Sequence, residues 1–325
     1  MKSLNIAIVG ATGMVGRKMI EVLSQSGIPV NHLYLFSSLR SKGEVINFNG
    51  ILYKVEVLDQ TSFDNDIDVA LFSAGGDVSK QYVPIAAAKG IIVIDNSSAW
   101  RMDANVPLIV PEVNKHALKL HHNIIANPNC STIQSVVPLS VIHKLFGIKR
   151  IVYTTYQAVS GSGIKGINAL ELGNYQTLYS VPIDQNVIPQ IDVFLEDGST
   201  KEEQKMIEET KKILEDESIN ITATCVRVPV VNGHSVAINV ECLKNIDLPL
   251  LTQTLTETPG IKFFPQNTII TPRDVDGLDD VYVSRLRLDS SIENGLNLWV
   301  VADNVRKGAA LNAVQILSIL MEEIR

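Results

Sequence analysis

Leu4-Asn5-Ile6-Ala7-Ile8-Val9-Gly10-Ala11-Thr12-Gly13-Met14-Val15-Gly16 opens the chain with a strand, a glycine turn and the start of a helix. Leu4 to Val9 is short, apolar and rich in β-formers, and it ends at a glycine. Met14, Val15, Met19, Ile20, Val22 and Leu23 then recur at helical spacing up to Gly27. That order begins a βαβ unit. Gly10, Gly13 and Gly16 follow G-x-x-G-x-x-G, a variant of the dinucleotide fingerprint. Glycine lets the backbone approach a pyrophosphate, which then rests on the helix N-terminus. The same spacing also suits a tight turn without a ligand, and the flanking strand and helix favour the cofactor. Thr12, Met14 and Val15 share the turn and are expected along that cofactor.

Working outward, Leu33–Phe36 reads as a second strand, and Val45–Phe48 and Ile51–Val57 as a hairpin. Asp68–Phe72 is a buried strand leading into Ser73-Ala74-Gly75-Gly76, where Ser73 and Gly75 are further cofactor candidates. A helix over 78–89 and a strand over 91–95 complete an alternation that predicts a parallel sheet with helices on both faces, a Rossmann-type domain. The second strand ends in Ser37-Ser38-Leu39-Arg40-Ser41-Lys42, which offers hydroxyls and cations but no carboxylate. An NAD site usually places Asp or Glu there, whereas a guanidinium binds a ribose 2′-phosphate. Ser37, Ser38, Arg40 and Ser41 therefore point to NADP, with a solvated basic loop as the plainer reading.

The pattern changes after residue 130. Ile148–Val159, Ile221–Val230, Ser235–Cys242, Val281–Leu288 and Leu296–Val301 are longer, alternating strands. Asn232-Gly233 between two of them is a hairpin signal. They predict an α+β domain with a mixed, largely antiparallel sheet and helices on one side. The last segment, 307–324, reads as a helix with one apolar face. The expected division is 1–130 with 305–325 for the cofactor domain, and 131–304 for the other.

The chain has 325 residues, 46% hydrophobic and 19% charged, with a net charge of −7, which describes a globular protein and argues against broad nucleic-acid or anionic-membrane binding. Three cysteines imply no disulfide framework. No basic leader, no apolar run of membrane-spanning length and no metal site are read, so a cytoplasmic protein is expected.

Cys130 lies in Asn127-Pro128-Asn129-Cys130-Ser131-Thr132, before an apolar helical run from Ile133 to Leu145. A thiol at a helix N-terminus has a lowered pKa, and the N–H groups there can stabilise an oxyanion. By itself such a residue reads as a small core cysteine. Cys242 shares a phase with Val236, Ile238 and Val240 and reads as core, and Cys225 shares one with Arg227.

GATGMVG at 10–16, SSLRSKG at 37–43, NSSAWRM at 96–102, NPNCST at 127–132, YQAVSGSG at 156–163, RVPVVNGHS at 227–235 and DNVRKGAA at 303–310 occur in this order. Together they resemble aspartate-semialdehyde dehydrogenase over nearly the whole chain. The resemblance implies a glyceraldehyde-3-phosphate-dehydrogenase-like fold, a catalytic and dimerisation domain, and a homodimer. It implies NADPH-dependent reductive dephosphorylation of aspartyl 4-phosphate to aspartate 4-semialdehyde. That step belongs to lysine and diaminopimelate, threonine, methionine and isoleucine biosynthesis.

The same resemblance makes Cys130 the nucleophile, His234 its acid/base and Gln157 a substrate-orienting amide. Alone, His234 reads as an exposed turn residue able to titrate near neutral pH, and Gln157 as a hydrogen-bonded sheet residue. Arg227 would hold the substrate α-carboxylate, Arg101 and Lys205 the phosphate, and Glu202 the amino group. Alone, Glu202 and Lys205 read as an exposed i, i+3 ion pair on a helix opened by a Thr200–Glu203 capping box. Asn304, Ser160, Gly161 and Gly163 would contact the cofactor. Ser162 stands where the family often has alanine. N-acetyl-glutamyl-phosphate reductase is the nearest alternative and differs around the cysteine. A non-catalytic NADP-binding relative would lack one or more of Cys130, Gln157, Arg227 and His234.

Overall fold

The computed structural model describes residues 3–176 and 178–323. By internal contacts the chain forms two compact units, Met1–Pro128 with Ala309–Arg325, and Asn129–Gly308, so Cys130 belongs to the second.

The first unit contains β1 (Leu4–Val9), α1 (Met14–Gln25), β2 (Val30–Ser37), β3 (Val45–Phe48), β4 (Ile51–Lys54), β5 (Glu56–Val57), β6 (Val69–Phe72), α2 (Gly76–Ala88), β7 (Ile92–Asp95), α3 (Pro111–Asn114) and β8 (Ile124–Ala126). Its six-stranded sheet has the order β5-β2-β1-β6-β7-β8, and every pairing is parallel. β1 is buried along its length. Its alternation sends Leu4, Ile6 and Ile8 into a core with Met19 and Leu23 of α1 and Leu317 of the last helix. Ala7 and Val9 point the other way, toward Phe36, Phe72, and Val83 and Ala86 of α2. The predicted hairpin arm at 51–57 divides: β4 pairs with β3, Val55 turns inward, and β5 joins the main sheet beside β2. Val55 still exchanges backbone hydrogen bonds with Gly43 and Glu44, and its side chain, 1% exposed, gains about 1.5–3 kcal/mol by leaving water. The predicted terminal helix begins as a π-helical stretch, Arg306–Leu311, and becomes α-helical over Asn312–Glu323, while Ile324 lies outside the described residues.

The second unit contains α4 (Cys130–Phe146), β9 (Ile148–Gln157), α5 (Ile164–Glu171), α6 (Lys201–Leu214), β10 (Asn220–Arg227), β11 (His234–Cys242), α7 (Leu248–Glu257), β12 (Ile261–Phe263), α8 (Pro272–Val275), β13 (Val281–Asp289) and β14 (Gly295–Ala302). The sheet order is β10-β9-β11-β14-β13-β12. Its two outer pairings are parallel and the three inner ones antiparallel. α4 is buried on nearly every side and packs on β9, β11, β13 and β14. An unbroken apolar circumference is what a central helix requires. The opposite sheet face lines a cavity of about 540 Å³ with Thr154, Asn239, Arg285 and Trp299.

The hairpin expected at Asn232-Gly233 is not there. β10 runs parallel to β9 and β11 antiparallel to it, with β9 between them. The connection has to span two strand spacings, about 9–10 Å, which a two-residue turn cannot reach. It crosses the chain leaving β9, where the N–H groups of Val159 and Ser160 donate to the carbonyls of Val230 and Val231. Gly233 re-enters the sheet at φ +87°, and a Cβ there would sit 2.8 Å from Pro272 Cβ. Glycine serves that crossing rather than a hairpin.

Candidate active site

Cys130 is the first residue of α4 and is half-buried. Asn129 caps the helix: its Oδ1 accepts from Ser131 N–H at 2.9 Å and Thr132 N–H at 3.2 Å. Cys130 thus stands at the positive end of a long helix. The backbone at Gly308 passes so near that a Cβ on it would lie 2.8 Å from Cys130 Cβ.

The crossover brings three strand ends together. Gln157 ends β9 and is the register partner of Arg227, which ends β10. β11 runs the other way, so its first residue, His234, lies at the same end. All three are buried, Gln157 at 1%, Arg227 at 3% and His234 at 0% exposure. Ala158 organises them: its N–H donates to His234 Nδ1 at 3.0 Å, and its carbonyl accepts from an Arg227 Nη1–H at 2.6 Å. Gly161 closes over both, since a Cβ there would come within 2.8 Å of Arg227 Nη1 and 3.2 Å of His234 Nε2. His234 Nε2 and Arg227 Nε are buried with no hydrogen-bond partner among the described residues. A polar pair left in that state is what a ligand-binding site needs before its ligand arrives.

His234 therefore does not sit on an exposed turn and does not titrate near neutral pH. Burial, and then the Arg227 charge, hold its pKa well below 6.5. Above pH 6.5 the imidazole is neutral both folded and unfolded. Below it the unfolded ring takes up a proton that the folded one refuses, so acid costs stability, by at most about 1.4 kcal/mol per pH unit for one group. The urea midpoint of His234→Gln is expected to fall less steeply than that of the parent between pH 6.5 and 5; parallel slopes would contradict this.

α6 supplies the acidic side. Glu202 accepts from Asn129 Nδ2 at 2.8 Å, Gln157 Nε2 at 3.2 Å and Lys205 Nζ at 3.1 Å. Burial raises its pKa, but the Lys205 charge, the hydrogen bonds from Asn129 and Lys205 and the Arg227 charge outweigh that and hold it low. Lys205 also reaches Asp192 at 2.9 Å. Burial opposes its charge, yet Glu202 and Asp192 more than compensate and hold its pKa high. The capping box of Thr200 and Glu203 is formed, but the pair beyond it is not the exposed one that spacing alone predicts. Asn129, Glu202, Gln157, Arg227 and His234 form one continuous polar cluster around the start of α4.

Asn304, expected beside a cofactor, is buried in the second unit, with its Oδ1 accepting from Gly233 N–H and its Nδ2 donating to Ser160 Oγ. Gly163 caps α5 at φ +71°. Burial pushes the Cys242 thiol up to about 11. It pushes Cys225 further up, with Glu202 adding to the effect.

In the first unit, Gly10 at φ +85° and Gly16 allow a contact that a Cβ would block at 2.4 and 2.1 Å. Gly13 precedes α1 as its N-cap residue and offers no side-chain cap, leaving the first N–H groups of the helix for a ligand. Thr12 Oγ1 lies 2.7 Å from Ser37 Oγ and 3.0 Å from Ser41 Oγ, while Ser38 and Arg40 are exposed. These residues fit a dinucleotide. Ser73 ends its segment beneath Gly10, and Gly75 turns at φ +89° into α2. Arg101 is also here, donating from Nε to Asn127 O and from Nη2 to Asn96 O, both at 2.9 Å.

Residues 5–121 match the family described as semialdehyde dehydrogenase, NAD binding domain, and residues 139–307 its dimerisation domain. Aspartate-semialdehyde dehydrogenase of Aquifex aeolicus is 49% identical, with 98% of each chain covered. A crystal structure of aspartate semialdehyde dehydrogenase II from Vibrio cholerae complexed with ASA is 47% identical, covers 99% of each chain and superposes with a TM-score of 0.94. A Candida albicans enzyme of the same name, crystallised with NADP, is 26% identical, with 98% of this chain and 99% of that one covered and a TM-score of 0.79.

The chain belongs to the aspartate-semialdehyde dehydrogenase family.

It is accordingly an oxidoreductase of aspartate-family amino-acid biosynthesis with a nicotinamide-dinucleotide-binding domain. Its Rossmann-type sheet and mixed second sheet are those expected of the family. Among described residues, no helix is long and apolar enough to cross a membrane. Sequence reasoning missed several residues around the family's cysteine. Gln134 donates to the His234 carbonyl at 3.1 Å, and Asp303 accepts from the N–H groups of Val305 and Arg306 beside Gly308. Glu209 accepts from Asn129 N–H at 2.6 Å. Two of them left a legible trace: Asp303 opens the DNVRKGAA motif, and Glu209 shares the stripe Glu202, Met206, Glu209, Ile213, a carboxylate on a buried helix face.

Proposed function

We propose that this chain reduces aspartyl 4-phosphate to aspartate 4-semialdehyde and phosphate through a thioester on Cys130. The observation that carries the reading is the buried cluster of Gln157, Arg227 and His234 joined through Glu202 to the cap of the Cys130 helix. Cys130 attacks as a thiolate favoured by the helix N-terminus. The carbonyl oxygen takes up the electron pair, returns it, and phosphate leaves with the oxygen of the broken bond. When bound, the nicotinamide dinucleotide supplies the hydride that takes the thioester to the aldehyde oxidation level. The carbonyl oxygen is again an anion until its pair re-forms the C=O bond and expels the Cys130 sulfur as thiolate.

His234 serves both oxyanions as a neutral donor. Its Nδ1 accepts from Ala158, so the proton of the uncharged ring is on Nε2. Arg227 holds the α-carboxylate as a fork, Glu202 meets the ammonium, and Gln157 orients the chain between them. Arg101 and Lys205 receive the phosphate, and Asn304 with Ser160 and Gly161 shapes the cofactor-side loops.

Thr12, Gly13, Met14 and Val15 would cradle the pyrophosphate, and Ser37, Ser38, Arg40 and Ser41 a 2′-phosphate, which favours NADP. Arg40→Ala should raise the KM for NADP about tenfold or more and leave that for NAD within about twofold. Equal changes for both cofactors would remove Arg40 from this role. The working form is a cytoplasmic homodimer.

The deciding assay is phosphate-dependent NADP reduction with aspartate semialdehyde, run beside the N-acetylated aldehyde one carbon longer. Turnover of the latter alone would move the chain to the sister activity.

A further inference from the structure

We propose that Glu209 is a positioning residue for Cys130, acting through the main-chain N–H of Asn129; this rests on Cys130 being the nucleophile. Glu209 lies on α6, two turns beyond Glu202, and is 1% exposed. A carboxylate is not put there by chance, because burying its charge is costly unless it is hydrogen-bonded. It accepts from Asn129 N–H at 2.6 Å, a short charge-assisted distance.

Asn129 is thereby gripped at both ends by one helix face. Glu209 holds its backbone and Glu202 its side-chain amide, while Met206 between them receives the hydroxyl of Thr132 at 3.5 Å. The spacing 202, 206, 209 makes this a single stripe of α6. Rotation about Asn129 φ, now −61°, would swing Cys130 and the first turn of α4 together. Only the two bonds to α6 together fix that rotation: Glu209 pins the peptide plane before the N–Cα bond, and Glu202 pins the side chain after it, so losing Glu209 frees one side. A reacting atom displaced by about 1 Å can lose on the order of 100-fold in rate, so a bond that restrains this one rotation bears on kcat.

Glu209→Met keeps the bulk and removes the acceptor, whereas Glu209→Gln keeps an acceptor oxygen. The Met variant should lose tenfold or more in kcat with KM for aspartate semialdehyde within about twofold, and its Cys130 should be alkylated by iodoacetamide at a changed rate. The Gln variant should recover to within about threefold of the parent. Parental kcat in the Met variant, equal loss in both variants, or a loss carried by KM would each overturn the assignment. Should the Met variant not fold, the parent decides: the Asn129 amide proton should be shifted downfield and exchange slowly in NMR, and rapid exchange would exclude the bond. Activity surviving Cys130→Ala would instead overturn the nucleophile, while the exchange measurement would still report on Glu209.

Discussion

Cys130→Ala should lower phosphate-dependent NADP reduction by about 10⁴-fold or more, because it removes the atom that forms the covalent intermediate. No neighbouring thiol can substitute. Cys225 and Cys242 are buried, with pKa values raised by burial, so neither offers a thiolate. The change is small in volume and half-exposed, so folding should be unaffected and the loss should appear in kcat. Cys130→Ser should be nearly as inactive, since an alkoxide is far harder to form than a thiolate. A direct readout accompanies the kinetics: parent enzyme given aspartyl phosphate without reduced cofactor should carry an acyl group on the Cys130 peptide by mass spectrometry. Near-parental turnover in Cys130→Ala would remove the thioester from the mechanism.

Arg227→Met should be the second-largest loss. Truncating one partner of a buried charge pair costs about 2–5 kcal/mol, so the KM for aspartate semialdehyde should rise about 100-fold or more. Arg227 sits at the strand end beside Gln157 and His234 and is held by the Ala158 carbonyl, so methionine removes a pre-set fork as well as a charge. A second effect distinguishes it from simple loss of binding. After burial, the Arg227 charge is what keeps the His234 pKa low. Removing it should raise that pKa, so the acidic limb of the rate profile should move to higher pH. An unchanged KM would refute the carboxylate assignment, and an unmoved limb would refute the coupling to His234.

The first sheet was largely legible because its information is local. Leu4–Val9 is a short apolar run, Gly10 and Gly16 punctuate, and Met19 and Leu23 return at helical spacing, all within one βαβ unit. The helix start at Cys130 was likewise written in adjacent residues, while the capping role of Asn129 came from the structure. The second sheet was legible as strands but not as an order. Asn232-Gly233 looks like a hairpin because turn signals are short-range, and nothing in those residues says that β9 lies between β10 and β11. The environment of His234 followed from the same error, since a hairpin would leave it exposed and the crossover buries it.

By itself the sequence determined the dinucleotide turn, the helix that begins at Cys130, the residue types the chemistry needs and, through their order, the family. Tertiary structure alone decided which of those residues meet. Gln157, Arg227 and His234 are separated by 70 and 7 positions along the chain, yet they share one end of a sheet because β10 and β9 run parallel and β11 opposes them. It also decided the state of each group. Burial and neighbouring charge set whether His234 is neutral, Glu202 ionised and Asn129 held, and those fields come from residues distant in sequence.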